Sequence, residues 1–322
     1  MCGRYASARK RTELLEEFRV ERDRVTEPLE PDYNVAPTKR VYAVVTRDAG
    51  PSAPAGRGAG APGALQPGAA RELRVVRWGL VPFWAKDPKI GSRLINARAE
   101  TVATKPAFRH AFKRSRCLLP ADGYYEWQRP DGSSQDEPGG RGGGAGPGGG
   151  AGPGGGAGPG GGAGPGGPKQ PYFITSGDGS PLAFAGLYEL WRDAELPEDH
   201  ERAWLWTATI ITTSAPDDLG RIHDRMPMVI EPDRWADWLD PAASDPADLA
   251  ALLAPAASGG LVSYPVSTAV NSVRNNGPEL ITRIELPPPG GDVAPGPSTA
   301  GSRRSRSAAA HGTSGGVPDK LR

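Results

Sequence analysis

Arg116–Trp127 reads RCLLPADGYYEW. Within it, Cys117–Leu119 and Gly123–Trp127 both read as strands, short and rich in apolar or aromatic residues. The two-residue alternation of a strand places Tyr124 and Glu126 on one face of the second run, and Tyr125 and Trp127 on the other. Moving outward, Val41–Val45, Leu73–Trp78, Tyr172–Thr175, Leu182–Leu187 and Leu205–Thr212 read as further strands. Arg9–Phe18 fits an amphipathic helix with Leu14, Leu15 and Phe18 on one face. Pro232–Leu239 and Pro246–Leu253 read as helices with proline near the first turn. Many short strands with a few peripheral helices predict an α+β fold, a compact single domain around a curled, barrel-like, mostly antiparallel sheet.

The chain has 322 residues, of which 45 are glycine and 35 proline. That share, without a three-residue period, marks low-complexity segments beside a folded core. Ala49–Ala70 is rich in Gly, Ala and Pro and reads as a disordered insertion. Gly142–Pro165 is four copies of GGGAGP, a period too short and too polar to bury a face. It lies between Trp127 and Tyr172 and reads as an overgrown hairpin loop within a wider insertion over 139–168, since long surface loops cost little closure entropy. Pro287–Arg322 reads as a disordered tail with a charge of +3, from Arg303, Arg304, Arg306, Lys320 and Arg322 against Asp292 and Asp319. One domain over 1–286 and a tail over 287–322 follow.

Lys+Arg at 38 against Asp+Glu at 37 excludes a bulk polycation or polyanion, so an anionic partner must be held by a local groove. Two cysteines, Cys2 and Cys117, supply neither a disulfide framework nor paired zinc-ligand spacing. No apolar run approaches the ~20 residues of a membrane span, and MCGRYASARKR lacks a signal-peptide segment. The expectation is a soluble cytoplasmic protein with no membrane partner, no metal and no cofactor.

Cys2 carries the most chemistry. Aminopeptidases remove Met1 when the second side chain is small, and the chain then starts on an α-amine of pKa about 7.7–8.0 beside a thiol of about 8.5. An aldehyde is the natural target: the amine makes an imine and the sulfur closes a thiazolidine ring. An ordinary cysteine at a disordered start also fits. Glu126, among aromatics, suits a carboxyl whose pKa is raised for general acid work, or a salt-bridged surface residue. His223, in IHDRMP, suits proton transfer near neutral pH or a hydrogen-bonded core. Asn96, in LINARAET, can orient a thiol or hydroxyl, or cap a turn. Arg77, Trp78 and Trp84 in RWGLVPFW, followed by Arg98, interleave bases and aromatics as single-stranded nucleic-acid binders do. An aromatic core strand followed by a loop fits the same residues, and local composition favours it.

Taken together, MCGRYA, YNVAPT (Tyr33–Thr38), RWGLVPFWA, INARAET, RCLLPADGYYEW, IHDRMP and VNSVRNNGPEL resemble the SRAP family, the SOS response-associated peptidases, also called abasic site processing proteins. The resemblance runs in family order from Met1 to about Ile281. It implies a sensor of abasic sites in single-stranded DNA during the DNA damage (SOS) response, forming a covalent thiazolidine DNA–protein crosslink. Cys2 is then the nucleophile, Asn96 positions it and the sugar, Glu126 assists ring opening, and His223 serves the sugar hydroxyl and crosslink reversal. Arg4, Arg77, Trp78, Trp84, Arg98 and Thr212 would line the DNA groove, with Asn34 and Pro37 of YNVAPT supporting it. The family name also implies a peptidase (a hydrolase); with only Met1 before Cys2, self-processing is expected either to be limited to that residue or to be left to a separate aminopeptidase. An imine caught before ring closure would permit lyase cleavage. The expected protein is a monomer, nucleoid-associated when bound to DNA, with replication-fork proteins as candidate partners. A cysteine peptidase using Cys2 with His223 or Glu126, and a noncatalytic single-stranded DNA-binding protein, are the competing readings.

Overall fold

The computed structural model describes residues 2–48, 69–128, 169–201, 203–254 and 260–286. In chain order these hold β1 (Tyr5–Ser7), α1 (Arg11–Glu17), β2 (Arg22–Asp23), β3 (Asp32–Val35), β4 (Arg40–Asp48), β5 (Ala69–Trp78) and β6 (Asn96–Arg98). Next come α2 (Arg109–Arg114), β7 (Arg116–Ala121), β8 (Gly123–Gln128), β9 (Gln170–Ser176), β10 (Leu182–Arg192) and β11 (Trp204–Ser214). The last are α3 (Asp217–Gly220), β12 (Arg225–Pro227), α4 (Trp235–Leu239), α5 (Pro246–Leu252) and β13 (Leu261–Pro265). Among the described residues no helix is long and apolar enough to cross a membrane.

Five strands close into a ring. β4 pairs with β5 and β7, β7 with β10 and β10 with β11, all antiparallel. β11 then returns to β5 in parallel, with Thr207 beside Arg77. The product is the barrel-like α+β fold that the strand count predicts. A second, antiparallel sheet runs β13-β9-β8-β1-β3.

Strand parity sorts the core. Val45, Val76, Trp78, Cys117, Leu119, Phe184 and Ile210 form one buried cluster, joined by Cys2, Tyr5 and Tyr124 from the second sheet. Their alternates, including Val44, Leu73, Leu118, Leu187 and Ile211, belong to another cluster with Leu14 and Phe18 of the α1 region and Trp235 and Trp238 of α4. Each large apolar side chain so buried contributes about 1.5–3 kcal/mol. Helices therefore coat one face of the barrel wall, and the second sheet packs against the other, carrying Cys2 with it. Arg116, almost wholly buried, donates to the carbonyls of Phe112 and Trp238 at 2.7 Å each, joining β7 to α2 and α4.

The expected strands are all present and run longer than the sequence suggests. α1 starts at Arg11 rather than Arg9, and 232–239 opens as a 3₁₀ turn (Pro232–Arg234) before α4. The insertion ending at Ala70 needs correction. Ala69 and Ala70 begin β5, where they pair with Asp48 and Arg47 because the β4–β5 ladder continues across them. The rest of that insertion, the one over 139–168 and the tail from 287 lie outside the described residues. Both insertions join neighbouring antiparallel strands: β4 to β5 across Asp48–Ala69, and β8 to β9 across Gln128–Gln170.

This placement makes the linker dispensable. Deleting Gly142–Pro165 leaves the Gln128–Gln170 pairing untouched and lowers loop-closure cost by about 0.8 kcal/mol. The melting temperature is expected to rise by roughly 2 °C and the far-UV spectrum per folded residue to stay the same. A fall of several degrees in a thermal melt would show that the linker packs on the core.

Candidate active site

β1 is an interior strand of the second sheet, between β8 and β3, so the residues before it are pinned from several sides. The Tyr125 N–H donates to Arg4 O at 3.0 Å. The Arg4 guanidinium donates to Asn34 Oδ1 at 2.7 Å and to Val270 O at 2.9 Å. Asn96, on β6 beside Ile210 of β11, donates from Nδ2 to Cys2 O at 2.7 Å. Cys2 is thus fully buried and held by its backbone, with Sγ 3.8 Å from Arg4 O. Asn96 Oδ1 is buried and has no hydrogen-bond partner. An unmade buried acceptor costs about 1–3 kcal/mol, and it leaves a receptor for a ligand hydroxyl beside Cys2.

Alternation along β8 holds as read. Tyr124 and Glu126 face a small pocket that they share with His223, Arg225 and Met226. Tyr125 turns away and donates its hydroxyl to Tyr33 O at 2.7 Å, and Trp127 donates to Asn271 Oδ1 at 2.7 Å. Glu126 is 4% exposed, and burial raises its carboxyl to about 7. Burial, and then the nearby Glu126 charge, push the Cys2 thiol well above its ordinary value. Burial lowers His223 despite Asp224 Oδ1 at 2.8 Å from Nδ1, because the Asp224 side chain is 70% exposed and screened. His223 Nδ1 lies 3.0 Å from the Arg225 backbone nitrogen as well as close to Asp224. At neutral pH the Cys2 thiol and the His223 imidazole are therefore neutral, and the Glu126 carboxyl is near its midpoint.

The expected groove residues divide. Trp84 is 51% exposed, as is its neighbour Phe83 at 55%, and Arg98 is exposed on β6. Arg77 and Pro37 are half-buried. Trp78 and Thr212 need correction as DNA-facing residues. Trp78 is fully buried, packs edge-on against Tyr5 at 5.2 Å and donates its indole N–H to Ile95 O. Thr212 is 1% exposed and accepts from the Arg225 guanidinium through its backbone carbonyl at 2.6 Å. Asn34 is buried too, donating to Val270 O, Ser272 O and Asn275 O, so it ties the 270–275 turn to β3. Thr38 takes φ +74, with its N–H on Trp78 O, and fixes the end of YNVAPT. Sequence reasoning passed over Arg225, which lines the Glu126–His223 pocket and bonds Glu100 Oε2 at 3.1 Å. It also passed over Phe83. Both stand inside quoted motifs, and their side-chain types were the only signal. Gly79, at φ +121, ends β5 where a Cβ would meet Gly91 O at 2.5 Å; this close approach shapes the loop that presents Phe83 and Trp84. Among the described residues no group of three or more His, Cys, Asp or Glu gathers that could hold a metal ion.

The SRAP family, described as SOS response associated peptidase, matches residues 1–138 and 163–273. The chain belongs to the SRAP family. It is 34% identical over 281 residues to abasic site processing protein YoqW of Bacillus subtilis, covering 87% of this chain and 99% of the relative. It is also 34% identical over 239 residues to abasic site processing protein HMCES of Gallus gallus, covering 67% of this chain and 59% of the relative. A solved structure of a Bacteroides thetaiotaomicron protein superposes with a TM-score of 0.61 at 22% identity, covering 88% of this chain and all of that one, and shows the same fold. The SRAP match spans all four of Cys2, Asn96, Glu126 and His223 and breaks only at 139–162, within the glycine-rich linker.

The Glu126 shift has a consequence for the stability of this SRAP fold. Its folded value, about 7, lies above the ordinary 4.5, so between those pH values the folded state keeps a proton that the unfolded chain has lost. Stability from this group is therefore full at low pH and falls as pH rises, by about 3 kcal/mol in all. Glu126→Gln removes the dependence. Between pH 4.5 and 8 its melting temperature should gain roughly 6–12 °C relative to the parent. A difference that stays flat across that range would place the carboxyl in solvent.

Proposed function

We propose that this chain processes abasic sites in DNA by forming a covalent thiazolidine crosslink through Cys2 once Met1 is removed. The observation that carries the reading is the gathering of Cys2, its backbone held by Asn96 at 2.7 Å, with a buried Glu126 near its midpoint at neutral pH. Protonated Glu126 gives its proton to the ring oxygen of the closed sugar as the bond from that oxygen to C1 breaks, the C1 hydroxyl gives up its own proton to His223, and the aldehyde forms. The Cys2 amine adds to that carbon and loses water, leaving an imine. The Cys2 S–H then adds across the C=N bond, sulfur to carbon and proton to nitrogen. One water leaves and nothing is oxidised or reduced. Neutral His223 accepts and returns protons at the sugar hydroxyl, and Asn96 Oδ1 receives a second hydroxyl. Exposed Trp84 and Arg98 suit stacking and phosphate pairing with single-stranded DNA.

The raised thiol argues for this order of events. A cysteine peptidase needs the thiolate as the first attacker, and burial together with Glu126 disfavours it here. In the thiazolidine route the amine attacks first, and the sulfur adds later as a neutral thiol or after losing its proton to Glu126. The test is intact mass after mixing the full chain with single-stranded DNA carrying one abasic site. A stable species of protein plus DNA minus one water is expected. Salt-sensitive binding with no covalent species would make the chain a binder only.

A further inference from the structure

A groove adjoining the Glu126–His223 pocket opens between the barrel and the second sheet, with a volume of about 550 Å³. That is within the range of sites that take a ligand or a few side chains. Its apolar lining includes Leu182, Met226, Met228, Ile230, Trp235 and Leu261. Three carboxylates line it as well, Glu17, Asp178 and Glu231, all exposed. Among the described lining residues none is basic. Such a rim repels the phosphates of DNA, so the groove is no continuation of a nucleic-acid track. The Asp178 carboxylate accepts from Ser176 Oγ, Ser180 Oγ and the Ser180 N–H, and these bonds hold it well below the ordinary carboxylate range, so its charge is fixed across the physiological range. β13, which lends Leu261, is the edge strand of its sheet, and at its far end, away from Leu261, the Ile284 N–H donates to Pro265 O at 3.0 Å. An extended segment is the shape that such an edge accepts.

We propose that this groove docks an extended segment of a partner protein carrying an apolar side chain flanked by lysine or arginine. The apolar side chain fills the space over Met228 and Trp235, and the flanking cations meet the carboxylates at the rim. Ala215 and Met226 line both this groove and the Glu126–His223 pocket, so the partner sits behind the loop that carries His223.

The test needs no DNA and is independent of the crosslinking chemistry. Three capped tripeptides, Arg-Leu-Arg, Glu-Leu-Glu and Arg-Ser-Arg, are titrated into the full chain by isothermal calorimetry. Arg-Leu-Arg is expected to bind about tenfold more tightly than either of the others. The double variant Glu17→Lys with Glu231→Lys alters two exposed side chains, so its melting temperature should match the parent, and it should prefer Glu-Leu-Glu over Arg-Leu-Arg. The proposal is overturned if none of the peptides binds, if the two leucine peptides bind the parent alike, or if Arg-Leu-Arg keeps its advantage on the double variant.

Discussion

Cys2→Ser is expected to give no stable crosslink to abasic single-stranded DNA at any time or pH. The ring needs the thiol and a free amine on adjacent carbons of one residue, and serine supplies only the amine. Its imine should be visible solely after borohydride reduction, as a species that disappears without the reductant. A chain that retains Met1 should fail for the complementary reason, because its Cys2 nitrogen is an amide and cannot form an imine. Neither change should unfold the protein, since the Cys2 carbonyl still accepts from Asn96 and the Arg4 carbonyl still accepts from Tyr125. Intact mass on matched preparations, with a thermal melt as the folding control, separates these outcomes. Full crosslinking by a chain shown to keep Met1 would overturn the thiazolidine route.

The parts of this fold legible in the sequence are those set by local alternation. GYYEW assigns its own faces because a strand has a period of two, and Glu126 duly lies opposite Tyr125 and Trp127. The β4 and β5 runs are apolar enough to read directly. Strands of two or three residues such as β1, β2 and β6 are too short for any period to show. What they do is set by partners far away in the chain: Cys2 is buried by Asn96, and Arg4 is anchored at Val270. Trp78 and Trp84 show the limit from the other side. They share one motif and one residue type, yet the first is sealed in the core and the second is half in solvent. Only closure of the barrel by the parallel β5–β11 pairing decides between them, and a parallel contact across more than a hundred residues leaves no local trace. The burial of Thr212 likewise depends on distant partners, β6 and Arg225.

Glu126→Gln should slow crosslinking by about 10²–10⁴-fold without lowering its final yield. In the proposed route the carboxyl acts before the covalent step, as the acid that opens the closed sugar, and an abasic sugar still opens slowly unaided. Cys2→Ala, which has no attacking sulfur, should give nothing however long the incubation. The pH profile carries the sign. Burial holds Glu126 at about 7, so its acid form predominates below that value, and the parent rate should fall as pH rises through it. Glutamine has no proton to lose there, so the variant should lack that falling limb. The deficit should shrink on a substrate supplied as an open-chain aldehyde, for which ring opening is already complete. Time courses for parent and variant on both substrates from pH 5 to 8 would read all three effects. Equal rates on the closed sugar throughout would remove Glu126 from the chemistry and leave it a buried structural carboxyl. A deficit of the same size on both substrates would move its role from ring opening to a later proton transfer, at the imine or at the thiol of Cys2.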